Sequence, residues 1–337
     1  MTNKKPEIEK HRVLHDLSTQ FELPEEVESL LKGQLSPDDQ SRLERFVAGF
    51  EIEDWFEWIF SAMHWCQLIH GLDQQQFPKR SKSTYQVPDF LMFVETSSMN
   101  HQPLLIDVKR VPYQKETLKI QSSQLELLQS YADRLAAPFL FAVYWEKFNA
   151  WTLNTPDSFR ENKSTRKLSL FRALELDCGL IIGDVSYLIP QSLVRISTFT
   201  QEPSEEHSVI HEKFGTLVSD LAILGDKRVA MNSGESAAID SMMKMVTHEE
   251  KTTDDGETVL VEHLDSTYGL KLSSWITRHL AQFNVTPTSE DANVSAHVIS
   301  ELMEKLECPQ MQLFPSNATK EIISVSNLFF NGDKTAT

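Results

Sequence analysis

Two short apolar runs in the first half of the chain carry charges where a buried strand should carry none. They are Val87-Pro88-Asp89-Phe90-Leu91-Met92-Phe93-Val94 and Leu104-Leu105-Ile106-Asp107-Val108-Lys109, separated by a polar stretch from Ser97 to Pro103. Apolar runs bounded by turn residues read as strands, and two joined this way read as a hairpin. Side chains alternate along a strand, so Asp107 and Lys109 project from one face and Val108 from the other. A partner strand carrying Asp89 brings a second carboxylate beside them. Two carboxylates in one place repel unless a proton or a cation joins them, and an all-oxygen site suits a hard ion such as Mg2+ or Mn2+. A lysine next to that ion can orient an attacking water and offset the charge growing on a phosphorane.

The neighbouring pattern predicts an α/β chain. Ser36-Pro37-Asp38-Asp39 supplies an N-cap, a first-turn proline and first-turn acids for a helix running to Ala48 and stopping at Gly49. With Pro24–Lys32 it makes a helical segment over 1–50. Trp55, Phe56, Ile59, Phe60, Met63 and Leu68 recur at helical steps, which predicts one long helix from Ile52 to Ile69. Ser123 and Glu126 have capping-box spacing before a helix with Leu125, Leu128, Ala132 and Leu135 on one face. Strands are expected at Phe139–Trp145 and Ala150–Leu153, then two more near 177–189 at the edge of the same sheet. Beyond that, 199–206 reads as a linker, Glu205–Leu224 and Gly234–Val246 as helices, 249–258 as an acidic loop, and 273–283 and 289–306 as helices. The expected domains are therefore 1–50, a core over 51–195, and a mainly helical acidic region over 196–337.

Charge limits what the chain can bind. Its 337 residues hold 32 Lys+Arg against 49 Asp+Glu, a net charge of −17, which argues against coating nucleic acid through charge alone, since such binding depends on Lys and Arg neutralising phosphates. The sign reverses between 79 and 119, where Lys79, Arg80, Lys82, Lys109, Arg110, Lys115 and Lys119 outnumber the acids. No apolar run approaches the ~20 residues of a membrane helix, and the charged start lacks a signal-peptide core, so no membrane association and a cytoplasmic location are expected. Cys66, Cys178 and Cys308 are far apart and suggest neither a disulfide framework nor a zinc site. His207 and His211 lack the glutamate of the HExxH pattern, and no Walker A, GxGxxG or GxSxG stretch occurs.

The charged strand residues spell Pro-Asp, 17 residues, Asp-x-Lys. Here the chain resembles the PD-(D/E)xK phosphodiesterase superfamily, the restriction-endonuclease-like nucleases. The resemblance covers about 55–155 and implies a mixed sheet flanked by helices. It implies that Asp89 and Asp107 bind Mg2+ or Mn2+ together with the Val108 carbonyl, and that Lys109 assists the nucleophilic water. Phe56-Glu57 looks like the Phe-Glu of the type IV restriction and Holliday-junction-resolvase branches. That adds Glu57 to the metal and catalytic set, with Glu53, one turn earlier, as its competitor. Lys82, Arg110, Gln124 and Tyr131 are the expected substrate contacts. The activity so implied is metal-dependent hydrolysis of phosphodiesters, DNA being favoured over RNA, with defence against foreign DNA or repair as roles by fold analogy alone. Two alternatives stand beside it: an RNA-cleaving nuclease of the same fold, and a non-catalytic adaptor whose acidic 196–337 region docks a protein partner.

Overall fold

From Pro37 the chain runs as one helix to Ser61 (α1). The computed structural model describes residues 37–61, 63, 65–74, 76–95, 100–201, 210–283, 298 and 300–311; the expected Pro24–Lys32 helix lies outside them. The predicted stop at Gly49 is corrected, since the helix passes through it. A mid-helix glycine costs only about 1 kcal/mol, and the aromatic residues beyond it anchor the segment. Phe50, Ile52, Phe56, Ile59 and Phe60 are buried, and the Phe56 ring meets Phe90 at 5.5 Å and Trp151 at 5.8 Å. The helix also ends sooner than Ile69, because Cys66–Gly71 is a strand.

The described residues fall into two compact units. One comprises residues up to Glu57, Leu68–Phe93 and His101–Ala173; the other comprises Trp58–Gln67, Val94–Asn100 and residues from Leu174 onward. The division after Ala173 replaces the expected boundary at 195. The central sheet has five strands: β1 (Cys66–Gly71), β2 (Phe90–Glu95), β3 (Asn100–Val111), then, beyond β4 (Thr117–Gln121) and α2 (Ser122–Leu135), β5 (Phe139–Trp145) and β6 (Ala150–Asn154). Their order is β1-β2-β3-β5-β6. Only four residues join β2 to β3, too few for a parallel crossover, so this pair is the predicted hairpin. β3 and β5 are parallel, β5 and β6 antiparallel. The sheet is thus mixed, in a mixed α/β chain. Every residue of β5 is buried, as expected of a strand covered on both faces.

Helix α2 keeps its predicted buried residues Leu125, Leu128 and Ala132, but the capping box does not form: Gln121 is the N-cap and makes no side-chain cap bond. A second, three-stranded sheet, unforeseen in the sequence, pairs β4 with β8 (Thr165–Ser169) and β8 with β7 (Arg160–Asn162). A short helix, α3 (Leu170–Glu175), follows.

The second unit departs most from expectation, since it is not mainly helical. The expected strand at 177–182 is a 3-10 turn, Gly179–Ile182. It closes on Gly183 at φ +76°, where an added Cβ would lie 2.1 Å from the Trp65 ring. β9 (Ser186–Ile189) belongs to a separate sheet, between β16 (Tyr268–Lys271) and β17 (Gln310–Met311). A six-stranded antiparallel sheet takes the place of the expected first helix where it is described and extends over residues 199–200 of the expected linker and 249–252 of the expected acidic loop, of which 253–257 remain a turn; residues 202–209 lie outside the described ones. The strands of this sheet are β10 (Val194–Thr200), β11 (Ile210–His211), β12 (Gly215–Leu224), β13 (Lys227–Ala230), β14 (Met245–Thr252) and β15 (Thr258–Leu264). His211 therefore sits on a strand, and His207 lies outside the described residues. Glu249, Glu250 and Lys251 lie on β14 at the end of the strand order, where charge guards a sheet edge against further pairing. The predicted helices survive as α4 (Ser233–Met242), opened by a true capping box between Asn232 and Glu235, and α5 (Leu272–Phe283).

Buried polar side chains hold this unit together. Arg195 is bidentate to Asp220, with Nη2–Oδ2 at 2.6 Å, and also pairs with Asp240, while Ser197 Oγ donates to Asp220 at 3.0 Å. Asp184 accepts from Ser273 N–H at 2.9 Å and Ser273 Oγ at 2.7 Å, capping α5 from a distant part of the chain. Cys66, Cys178 and Cys308 are free. Among the described residues no helix is long and apolar enough to cross a membrane.

Candidate active site

β3 delivers the two charged residues from inside the sheet. Asp107 stands opposite Phe141 and Lys109 opposite Val143 on β5, so both project from one face, as strand alternation requires. Leu104, Leu105 and Ile106 are fully buried, and Asp107 is only 1 % exposed. Asp89 sits just before β2, half-buried, and its Oδ2 accepts the Val108 backbone N–H at 2.7 Å. That bond fixes the second carboxylate against the middle of the Asp-x-Lys stretch. The Lys109 ammonium pairs with Asp107 and donates to the Val108 carbonyl at 3.0 Å.

The electrostatics are those of anions gathered in a dry place. Burial pushes the Asp89 carboxyl well above the ordinary carboxylate range, and the Asp107 charge pushes it further, against the pull of Lys109 and the Val108 N–H. Burial likewise raises Asp107, with Lys109 opposing. The Lys109 ammonium would be weakened by burial, but Asp107 and Asp89 outweigh this and hold its pKa above the ordinary lysine value. One lysine therefore does not satisfy two carboxylates. The buried Oδ2 of Asp107 meets the Lys109 ammonium and no other donor. Two carboxylates and a carbonyl form an oxygen-only donor set, the kind a hard divalent cation takes, so these residues fit such an ion.

The glutamates separate here. Both are half-buried on α1, yet it is the Glu53 charge that acts on Asp89 and on Lys109, raising both, less strongly than burial and the site's own carboxylates do. Among the described residues no three His, Cys, Asp or Glu side chains gather closely enough to hold a metal, so neither glutamate forms a carboxylate triad with Asp89 and Asp107. Of the expected substrate contacts, Lys82 is exposed on a 3-10 turn, Lys79–Ser83. Arg110 is engaged by Glu146 at 2.8 Å. Gln124 and Tyr131 are half-buried on α2, seven residues apart and so two turns along one face.

A stability signature follows from the raised Asp89. An unfolded aspartate titrates near about 3.9. The folded carboxyl holds its proton more tightly, so the native state is most favoured below about pH 4, and that advantage is lost as pH rises through the folded value. In EDTA, Asp89→Asn is expected to melt above the parent at pH 7 and level with it at pH 3.5. A melting difference independent of pH would show that the Asp89 charge is not strained.

No protein-family model and no curated protein matches the chain. Among solved structures it is similar to Hjc, a Holliday junction resolvase from the archaeal hyperthermophile Archaeoglobus fulgidus. The identity is 14 %, over 34 % of this chain and 84 % of that one, with a TM-score of 0.26. A likeness at that level does not carry an activity from one protein to the other.

Proposed function

We propose that the protein is a Mg2+- or Mn2+-dependent nuclease that hydrolyses phosphodiester bonds of DNA. The observation that carries this reading is the seating of Asp89 on the Val108 N–H, which brings a half-buried and a buried carboxylate, a backbone carbonyl and an ammonium to one strand position. Asp89, Asp107 and the Val108 carbonyl would hold the ion. When bound, it would polarise a phosphate oxygen and acidify a water. Lys109, kept protonated by its two carboxylate neighbours, orients the attacking water and offsets charge on the pentacovalent phosphorus. The bond to Val108 N–H holds Asp89, and the Val108 carbonyl, which accepts from the Lys109 ammonium at 3.0 Å, keeps a second lone pair with which to meet the ion.

Glu53, rather than Glu57, is the glutamate assigned to this site. Glu53→Gln is expected to lower turnover at least 10-fold and to raise the metal concentration needed for half-maximal rate. Glu57→Gln should stay within about 3-fold of the parent. Equal effects would remove both from the site. The test of the whole reading is incubation of the full chain with labelled single-stranded DNA, duplex DNA and RNA in Mg2+, Mn2+ or EDTA. Cleavage of DNA in either metal and none in EDTA is expected. Cleavage of RNA alone would move the assignment to the RNA-cleaving alternative, and no cleavage of any substrate would overturn it.

A further inference from the structure

The three-stranded sheet β4-β8-β7 carries a row of like charges that no carboxylate among the described residues neutralises. Across it, Lys119 on β4 stands directly opposite Lys167 on β8, and Lys167 directly opposite Arg160 on β7. Adjacent strands lie about 4.8 Å apart, and like charges placed directly opposite destabilise a sheet. The alternate residues Leu118, Ile120 and Leu168 are buried, so this sheet has an apolar inner face and a cationic outer one. Lys119 and Arg160 are exposed, and Lys167 is half-exposed. Lys119 and Lys167 line a groove of about 470 Å³ together with Arg110 and Lys115.

The acids that could neutralise this groove are already engaged. Glu116, the carboxylate in its lining, pairs with Lys147, and Glu146 holds Arg110. Among the described residues, Lys115, Lys119, Lys167 and Arg160 have no carboxylate partner. In a chain of net charge −17, four cations without a carboxylate partner, three of them in a row across a sheet, suit a ligand that is itself a row of anions. Two exposed rings accompany them. Tyr113, 58 % exposed, lies between the lining residues Pro112 and Lys115. Phe171, 82 % exposed, follows Leu170, whose N–H bonds to the Glu116 carbonyl at 3.2 Å. Cations beside exposed rings match nucleic acid, whose phosphates and base faces take both. Arg110, which opens the lining, immediately follows Lys109 on β3.

We propose that the Lys119–Lys167–Arg160 row and its groove bind the phosphate backbone of the nucleic-acid strand on which the Asp89–Asp107–Lys109 site acts. This deepens the nuclease reading and rests on it for the word substrate, but the binding can be tested without cleavage. In full-length protein carrying Asp107→Asn, with EDTA present, anisotropy of labelled single-stranded and duplex DNA would be followed from 50 to 200 mM salt. The triple variant Lys119→Gln, Lys167→Gln, Arg160→Gln is expected to bind at least 10-fold more weakly. Its plot of log affinity against log salt should be shallower by about 2, given ~0.7–0.9 per lost phosphate contact. Its melting temperature should be no lower than the parent's, since mutual repulsion is removed. The same substitutions at Lys213, Lys244 and Lys251 should leave affinity unchanged. Equal loss from that control set, an unchanged slope in the row variant, or no binding by the parent would each overturn the proposal. Weakened binding alongside a wild-type chain that cleaves nothing would keep the groove and end the nuclease reading. Unaltered binding by a chain that does cleave would do the reverse.

Discussion

Asp107→Asn is expected to reduce DNA cleavage to the background rate while leaving the protein folded. The substitution keeps the shape of a side chain that is 1 % exposed and removes a charge that burial disfavours, so the fold should tolerate it. What is lost is a negative oxygen donor and the partner that positions the Lys109 ammonium. Lys109→Met is expected to cost about 10²–10³-fold in turnover, the usual loss when one preorganised donor to developing charge is removed. Its apparent affinity for DNA should change little, because the cation acts on the transition state. Initial rates on a fluorophore-quencher duplex, with circular dichroism as the folding control, decide the matter. Parental rates in Asp107→Asn would end the nuclease reading.

The second large effect is on stability and lies in the other unit. Arg195→Met leaves Asp220, whose side chain is 1 % exposed, with Ser197 as its remaining donor in the trio and no countercharge from β10. Breaking a buried ion pair from one side costs about 3–5 kcal/mol. At roughly 2–4 °C per kcal/mol for a unit of this size, the melting temperature should fall by about 6–20 °C. Replacing both partners, Arg195→Met with Asp220→Leu, should recover most of the loss, because the stranded charge goes too. Differential scanning calorimetry of the parent, both single variants and the double makes the comparison. A double variant no more stable than Arg195→Met would assign the loss to packing instead.

The site was legible where its logic is local. Alternation alone puts Asp107 and Lys109 on one face, and an acid after Pro88 at the mouth of an apolar run stands out without any knowledge of the sheet. Choosing between Glu53 and Glu57 needs the rotational phase of α1 against β2 and β3, which tertiary packing sets. The second unit was misread for a related reason. Arg195, Ser197 and Asp220 occupy buried strand positions, so the apolar alternation that announces a strand is broken by the very residues that hold the sheet together. The partners β10 and β15 are also far apart in sequence. β7 and β8 were missed because their outward residues are charged and their apolar face is short.

The unit bearing Asp89, Asp107 and Lys109 does not occupy a continuous stretch of gene. The chain leaves its unit at Trp58, returns at Leu68, leaves again at Val94 and returns at His101. A stop codon after Ala173 would keep every residue of the candidate site, yet it would deprive Trp65 of Gly183, the glycine whose missing side chain makes room for its ring. The unit bearing the candidate site therefore cannot travel as a cassette: recombination that joins modules end to end could not move it by a single crossover, and a fragment ending at Ala173 should return as an aggregate.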